Sequence, residues 1–319
     1  MAGYRFKSMK ISNPAFVRYN LVTLLAGIVL LTGPSGCKRN EQAAPAPEPE
    51  VHNAPPAFSG TAVAPATAPA ASAIDTPEKQ RKRSWMRAIF GQAYAPEKDE
   101  ALAELDIDGA REYHQMTLAS ASTLPDGRVA VLVNGSPSDQ DGNDLAGHGS
   151  PGVLNVYILR TDDGGWQVVE RHENLSSMGS HGNIGSIEWI IPSAGKAGFI
   201  VTSGGTWQGY SIAVANIFEL GSPIRELGNL LIGSTNEGAC EPDTECWDVN
   251  GKIRFAGRSD ADTPPDMLVD FAGKRYRVID NQPDKYSERL DSTIKETARY
   301  RFDGNTYVLT EGVNPVPEV

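Results

Sequence analysis

The chain has 319 residues, enough for one or two domains, and its 40 acidic against 29 basic residues give a net charge of −11. This acidic composition argues against sequence-independent nucleic-acid binding, which depends on basic surfaces, so no nucleic-acid partner is expected. Only three cysteines are present. Cys240 and Cys246 enclose five residues, a spacing that suits a disulfide-closed loop in an oxidising compartment and leaves Cys37 as the odd cysteine.

The first 36 residues have the composition of an export signal. Residues 1–20 carry four basic side chains and no acidic one, and the apolar stretch 21–33 follows. As a helix, this stretch would span about 20 Å, whereas the hydrocarbon core of a membrane is roughly 30 Å thick. A basic start, a short apolar run and small residues before a break indicate an export signal better than a transmembrane helix.

The residues Pro34-Ser35-Gly36-Cys37 resemble the lipobox of bacterial lipoproteins, although the leucine usual three residues before the cysteine is replaced by Pro34. The resemblance implies that Cys37 carries fatty acyl chains such as palmitate and anchors the protein to a membrane. Lys38, where some such proteins have an aspartate that retains them at the inner membrane, implies the outer membrane of a Gram-negative cell, facing the periplasm or the surface. Two alternatives stay open: cleavage by the general signal peptidase, and an uncleaved short anchor.

Residues 37–75 are rich in Ala, Pro, Ser and Thr, which predicts a disordered tether. The following stretch, DTPEKQRKRSWMRAIFGQ, predicts a helix that Asp75 or Thr76 caps and Gly91 ends. Its apolar side chains would lie either on anionic lipid headgroups or, as we favour, on the domain that follows. A second short helix is expected over residues 96–107, so that residues 76–108 form a short helical segment.

From residue 109 to the last residue of the sequence, the pattern is that of strands. About a dozen segments of four to ten residues, many of them alternating apolar and polar side chains, are separated by turn signals such as Pro125-Asp126-Gly127 and Asn250-Gly251. This pattern predicts an all-β domain, either an antiparallel β-sandwich or a propeller-like wrapped meander. The chain has no dinucleotide-binding or P-loop fingerprint.

One acidic segment resembles a calcium-binding loop in part. Asp139, Asp141 and Asn143 alternate as oxygen ligands do in such loops, and Asp144 follows, but Ser150 stands where a bidentate carboxylate would be expected. The two interpretations are a weak Ca²⁺ site and a solvated loop between strands, and we favour the loop. No other cofactor is expected.

Two glycine-rich segments, residues 176–186 and 202–211, are the best candidates for a recognition surface. They contain His181, Trp207 and Tyr210, whose flat rings could stack on a ligand. His148 and His181 both lie among glycines and could meet in space, although no metal site is predicted with any specificity. Of the other tryptophans, Trp166 and Trp189 are expected in the core, and Trp247 is expected to pack against the disulfide.

The segment MGSHGNIGSIEWIIPSAGKAGFIVTSGGTWQGYS, followed by the two-cysteine loop, resembles exported proteins of proteobacteria over residues 110–260. This resemblance implies no activity. The leading hypothesis is therefore a lipid-anchored envelope protein whose β domain binds an envelope protein or glycan without catalysis.

The alternative is a hydrolase acting on an envelope glycan or another extracellular substrate. The carboxylates available to it are those of Glu170, Glu173, Glu188 and Glu219. Neither a Gly-x-Ser-x-Gly nor a His-Glu-x-x-His motif is present, and the sequence assigns no catalytic residue.

Overall fold

The computed structural model describes residues 76–193, 195–257, 263–282 and 285–319. These residues form one α-helix and two antiparallel sheets, which confirms the all-β prediction. The export signal, Cys37 and the tether lie outside the described residues. The elements are α1 (Pro77–Phe90), β1 (Tyr94–Ala95), β2 (Glu100–Ile107), β3 (Ala110–Thr123), β4 (Val129–Pro137), β5 (Gly152–Asp162), β6 (Gly165–Met178), β7 (Ser186–Ser193), β8 (Lys196–Trp207), β9 (Tyr210–Glu219), β10 (Arg225–Thr235), β11 (Cys246–Ala256), β12 (Asp266–Gln282), β13 (Lys285–Phe302) and β14 (Tyr307–Glu311).

Both sheets are meanders, because each strand pairs with its neighbours in sequence. The first sheet has the order β1-β2-β3-β4-β5-β6, and the second has β7 to β14 in unbroken sequence order. Every strand pair is antiparallel. Consecutive strands are therefore joined directly, by tight turns such as the two residues between β8 and β9 and by longer loops such as residues 138–151 between β4 and β5.

The helix α1 forms where the sequence predicts it and docks on the first sheet. The Thr76 hydroxyl accepts a hydrogen bond from the Lys79 backbone N–H at 3.2 Å, and Gly91 ends the helix with a positive φ of 58°. Its apolar side chains Trp85, Met86 and Ile89 are buried in a core shared with the first sheet. The apolar face of the helix is thus occupied by the domain, which is the alternative that we favoured.

The expected second helix over residues 96–107 is wrong. Glu100–Ile107 is strand β2, which pairs with β3 from Glu100↔Thr117 to Ile107↔Ala110. The segment EALAELDI is rich in helix-forming residues, but its apolar positions Ala101 and Leu105 also fit one face of a strand. Pairing with β3 and burial of this face outweigh a local preference of a few tenths of a kcal/mol per residue. The all-β domain therefore includes β2, which the predicted boundary at residue 109 leaves out.

The first sheet is covered on both faces at its strand β4, which accordingly carries a continuous buried apolar run over residues 129–133. On β4, Val129, Val131 and Val133 pack beneath α1, whereas Ala130 and Leu132 pack against the second sheet. The second sheet supplies Phe199, Val201 and Phe218 to this inter-sheet core. A continuous run such as VAVLV is typical of a strand with two buried faces.

The second sheet folds back on itself. Strands β10 and β11 pair over only three residues, Gly233↔Asn250 to Thr235↔Asp248. A third core gathers side chains from β8 and β9 on one side of this junction and from β11 to β14 on the other. The two halves of the sheet thus pack against each other across this short junction.

The predicted disulfide between Cys240 and Cys246 is confirmed, with its Cα atoms 5.8 Å apart. Cys246 packs with Tyr276 and Val278 of β12. Trp247 does not pack against the disulfide as predicted, because adjacent residues of a strand face opposite sides of the sheet. Instead, Trp247 contributes to the third core and contacts Tyr210.

Candidate functional site

The turn between β8 and β9 presents the first candidate side chains. Trp207 and Tyr210 are paired across a two-residue turn of Gln208 and Gly209, whose φ values are +49° and +86°. Two positive φ values are the mark of the tight turn that suits antiparallel strands, and glycine adopts them without strain. Trp207 is the last residue of β8, and Tyr210 is the first residue of β9.

Close packing fixes this turn. The Trp207 ring lies over Gly205, where a Cβ atom would come within 2.7 Å of the indole. On the other side, the Gly238 backbone N–H donates to the Gly209 carbonyl at 3.1 Å. Gly238 belongs to a short 3₁₀ turn, Glu237–Ala239, that leads into the disulfide. The disulfide loop therefore supports the turn that carries Trp207.

Trp247 completes an aromatic pocket next to this turn. Its indole N–H donates to the Ser234 hydroxyl at 2.9 Å, and its ring centroid lies 6.0 Å from that of Tyr210 at a 47° tilt. The pocket has a volume of about 480 Å³. We call it the aromatic pocket, and its lining side chains are those of Trp207, Gln208, Tyr210, Ile212, Trp247, Glu318 and Val319.

Two loops bring His148 and His181 together beside this pocket. Their ring centroids are 4.6 Å apart with the rings nearly perpendicular, at 84°, and both side chains are exposed. The His148 ring also meets Trp207, with 6.3 Å between centroids. We call the two residues the histidine pair. Trp207 therefore contacts the histidine pair while lining the aromatic pocket.

Buried Asn134, at the end of the apolar run of β4, anchors the loop that carries His181. Its side chain donates to the Gly182 carbonyl at 2.9 Å and accepts from the Ile184 backbone N–H at 3.0 Å. Sequence reasoning missed Asn134, although a polar residue ending the run VAVLV is a usable signal: inside a core, such a side chain needs hydrogen-bond partners.

The acidic segment lies in the loop between β4 and β5. Asp139 accepts hydrogen bonds from the backbone N–H groups of Asp141 and Asn143 and from the Asn143 side-chain amide. These bonds, the side-chain amide first, lower the pKa of the Asp139 carboxyl. Asp144 accepts from the Ala146 backbone N–H at 2.9 Å. Asp139 and Asp144 thus hold the backbone of the loop. Within the described ranges, no group of three or more His, Cys, Asp or Glu side chains could hold a metal ion.

Three of the four glutamates considered for hydrolysis make hydrogen bonds or ion pairs within the fold. Glu219 is only 3% exposed and pairs with Arg225 at 2.8 Å and with Lys196 at 3.5 Å. Glu170 pairs with Arg128 at 2.5 Å, and Glu173 accepts from the Tyr157 hydroxyl at 3.1 Å. Glu188 lies exposed on β7. None of the four lines the aromatic pocket.

The aromatic pocket and the histidine pair are two adjoining surfaces with different chemistry. The first offers flat rings with a few polar groups, and the second offers ring nitrogens. Across the part of the chain that the structure covers, no helix is long and apolar enough to cross a membrane. No protein-family model matches this sequence, and no curated protein or solved structure is significantly similar to it.

Proposed function

We propose that the β domain is a non-catalytic binding module that takes a carbohydrate chain of the cell envelope into the aromatic pocket. The aromatic pocket is the observation that carries this proposal. Its volume lies in the range of small-molecule sites, about 300–1,000 Å³. Its walls are three aromatic rings, and its polar side chains are those of Gln208 and Glu318.

Sugar rings fit these walls because one face of a pyranose is apolar, whereas its edge carries hydroxyl groups. An aromatic ring can stack on the apolar face while amide and carboxylate groups bind the hydroxyls. The 47° tilt between Tyr210 and Trp247 offers two surfaces at an angle, which suits consecutive sugars of a chain. Trp247 is held by its bond to Ser234, so little side-chain entropy is lost on binding.

A binding experiment with defined saccharides tests this proposal. The full-length chain is titrated with muropeptides and with soluble envelope polysaccharides while heat and tryptophan fluorescence are recorded. We expect Trp247→Ala and Trp207→Ala each to weaken binding by about 30-fold, the loss of about 2 kcal/mol typical of a tryptophan at the centre of an interface.

Trp166→Phe is the matched control. Trp166 packs edge-on against Trp85 beneath α1, with 5.9 Å between ring centroids, and does not line the aromatic pocket. Its replacement should leave the affinity unchanged. Equal affinity for saccharides in the wild type and both pocket variants would contradict the proposal, as would the absence of binding to any of these saccharides.

We further propose that the protein is exported and anchored by acyl chains on Cys37. The resemblance of residues 34–37 to a lipobox supports this, and so does the Cys240–Cys246 disulfide, because such bonds persist in oxidising compartments. Cells fed radioactive palmitate should label the wild type but not Cys37→Ser, and the unlabelled variant should leave the membrane fraction. Equal labelling of both proteins would show that the lipid lies elsewhere.

A further inference from the structure

The geometry of the histidine pair points to a binding site for one late transition-metal ion. Imidazole nitrogens are ligands that Cu²⁺, Ni²⁺ and Zn²⁺ accept, and Cu²⁺ binds most tightly to a given set of such donors. We propose that His148 and His181 each give one ring nitrogen to the ion, with water in the remaining positions. This proposal is independent of carbohydrate binding.

The spacing of the two rings suits a shared ion. With metal–nitrogen bonds of about 2.0–2.1 Å, two imidazoles on one ion at a near-right angle have ring centroids roughly 4.5–5 Å apart. The observed centroid distance is 4.6 Å, and the ring planes are 84° apart. The centroid distance therefore matches that of two imidazoles bound to one ion.

A hydrogen bond sets which nitrogen of His148 is available. Its Nε2 lies within hydrogen-bonding distance of the Thr206 carbonyl oxygen, which can only accept, so Nε2 carries the proton. In the neutral ring, Nδ1 then carries the lone pair that can bind a metal ion. Metal-binding histidines almost always donate their other ring N–H to a carbonyl or carboxylate in this way, which fixes the ring and strengthens the ligand.

The backbone at His181 has an uncommon conformation that hydrogen bonds between the two loops hold in place. His181 has a φ of +51°, a left-handed conformation that is uncommon for residues other than glycine, and its backbone N–H donates to the His148 carbonyl at 3.4 Å. The Gly182 backbone N–H donates to the Ser150 carbonyl at 2.9 Å, so the two loops are tied together beside the pair. Strained conformations held by their surroundings occur preferentially at binding sites.

Copper binding to the full-length chain tests the proposal, and Trp207 provides the optical readout. Cu²⁺ bound at the histidine pair should quench Trp207, because its ring is 6.3 Å from that of His148. We expect saturable quenching with one ion per chain, and electron paramagnetic resonance showing two imidazole nitrogens on copper. In Trp207→Phe, calorimetry should still detect this ion while the quenching at saturation falls.

The ligand variants are chosen to preserve the fold. Asparagine tolerates positive φ, so His181→Asn keeps the backbone of the loop, and His148→Gln keeps a polar side chain of similar reach. Each should weaken Cu²⁺ binding at least tenfold, because even the loss of an outer-shell partner costs 10- to 100-fold. The matched control is His172→Asn, since His172 pairs with Glu170 at 3.3 Å on β6. Unchanged binding in the double variant His148→Gln/His181→Asn, or an equal loss in the control, would overturn the proposal.

Discussion

A single glycine shows how tightly the loop that carries His181 is packed. Gly182 has a φ of +67°, and a Cβ atom there would lie 2.1 Å from the Ser136 hydroxyl oxygen and 2.8 Å from the Ala146 Cβ. We expect Gly182→Ala to lower the free energy of unfolding by about 2–4 kcal/mol, from left-handed strain of about 1–2 kcal/mol plus the steric conflict. Urea unfolding measures the loss.

Gly127 provides the control for this substitution, because its φ of +84° is similar but a Cβ atom there would meet nothing within 4 Å. Gly127→Ala should therefore cost only the conformational strain, about 1–2 kcal/mol. Equal losses for the two variants would mean that packing at Gly182 is not tight. Gly182→Ala should also weaken Cu²⁺ binding, because the substitution displaces the neighbouring His181.

At the scale of residues, the sequence locates part of the candidate site and misses the rest for a physical reason. The glycine-rich segments suggest a surface containing His181, Trp207 and Tyr210, and these side chains do line or adjoin the aromatic pocket. The prediction for Trp247 fails because sequence proximity to Cys246 says nothing about which face of a strand a side chain occupies. Gln208 and Glu318 come from parts of the chain more than a hundred residues apart, so only the fold brings them together.

At the scale of elements, the sequence predicts correctly the structures that depend on a few neighbouring residues. It does not predict those that depend on pairing with distant strands. The bounds of α1 follow from its cap, its proline and its final glycine, all of which act within the helix itself. The segment of β2 favours a helix locally, and only its pairing with β3 makes it a strand. The apolar alternation of the later strands predicts sheets, but it carries no information on how the second sheet bends between β10 and β11.

Asn236 connects the disulfide loop to Trp247 of the aromatic pocket by hydrogen bonds. It follows β10 and is only 4% exposed. Its side chain donates to the Glu245 carbonyl at 3.0 Å and accepts from the Trp247 backbone N–H at 2.8 Å. Asn236→Ala leaves the Glu245 carbonyl and the Trp247 N–H, both in partly buried hydrogen bonds, without this partner, so we expect a loss of about 2 kcal/mol in the free energy of unfolding. Saccharide affinity should fall with it, since Trp247 is less firmly held.

Asn229→Ala on the preceding strand β10 is the matched control, because Asn229 is exposed and bonds the Glu226 side chain at 3.3 Å. Surface substitutions of this kind usually change stability by no more than about 0.5 kcal/mol. If Asn236→Ala were as mild as this control, the two hydrogen bonds would not be what holds the pocket.

At the scale of the whole molecule, three cores are connected through strands that are buried on both faces. Strand β4 belongs to the core beneath α1 and to the core between the sheets. Strand β8 belongs to the inter-sheet core through Phe199 and to the third core through Ile200. Because each such strand loses support on one face when the neighbouring core opens, we expect the described domain to unfold in one cooperative transition that includes α1.

Met86 on α1, which does not line the aromatic pocket, tests this cooperativity. Its side chain is 1% exposed, so Met86→Ala should cost about 2–5 kcal/mol through lost burial and the cavity left behind. Far-UV circular dichroism and tryptophan fluorescence should report one shared, lowered midpoint in urea, while Arg87→Ala, at an exposed neighbouring position, should leave it nearly unchanged. If circular dichroism instead showed an earlier loss of helix before the fluorescence change, α1 would unfold by itself. The cooperative unit would then begin at β1.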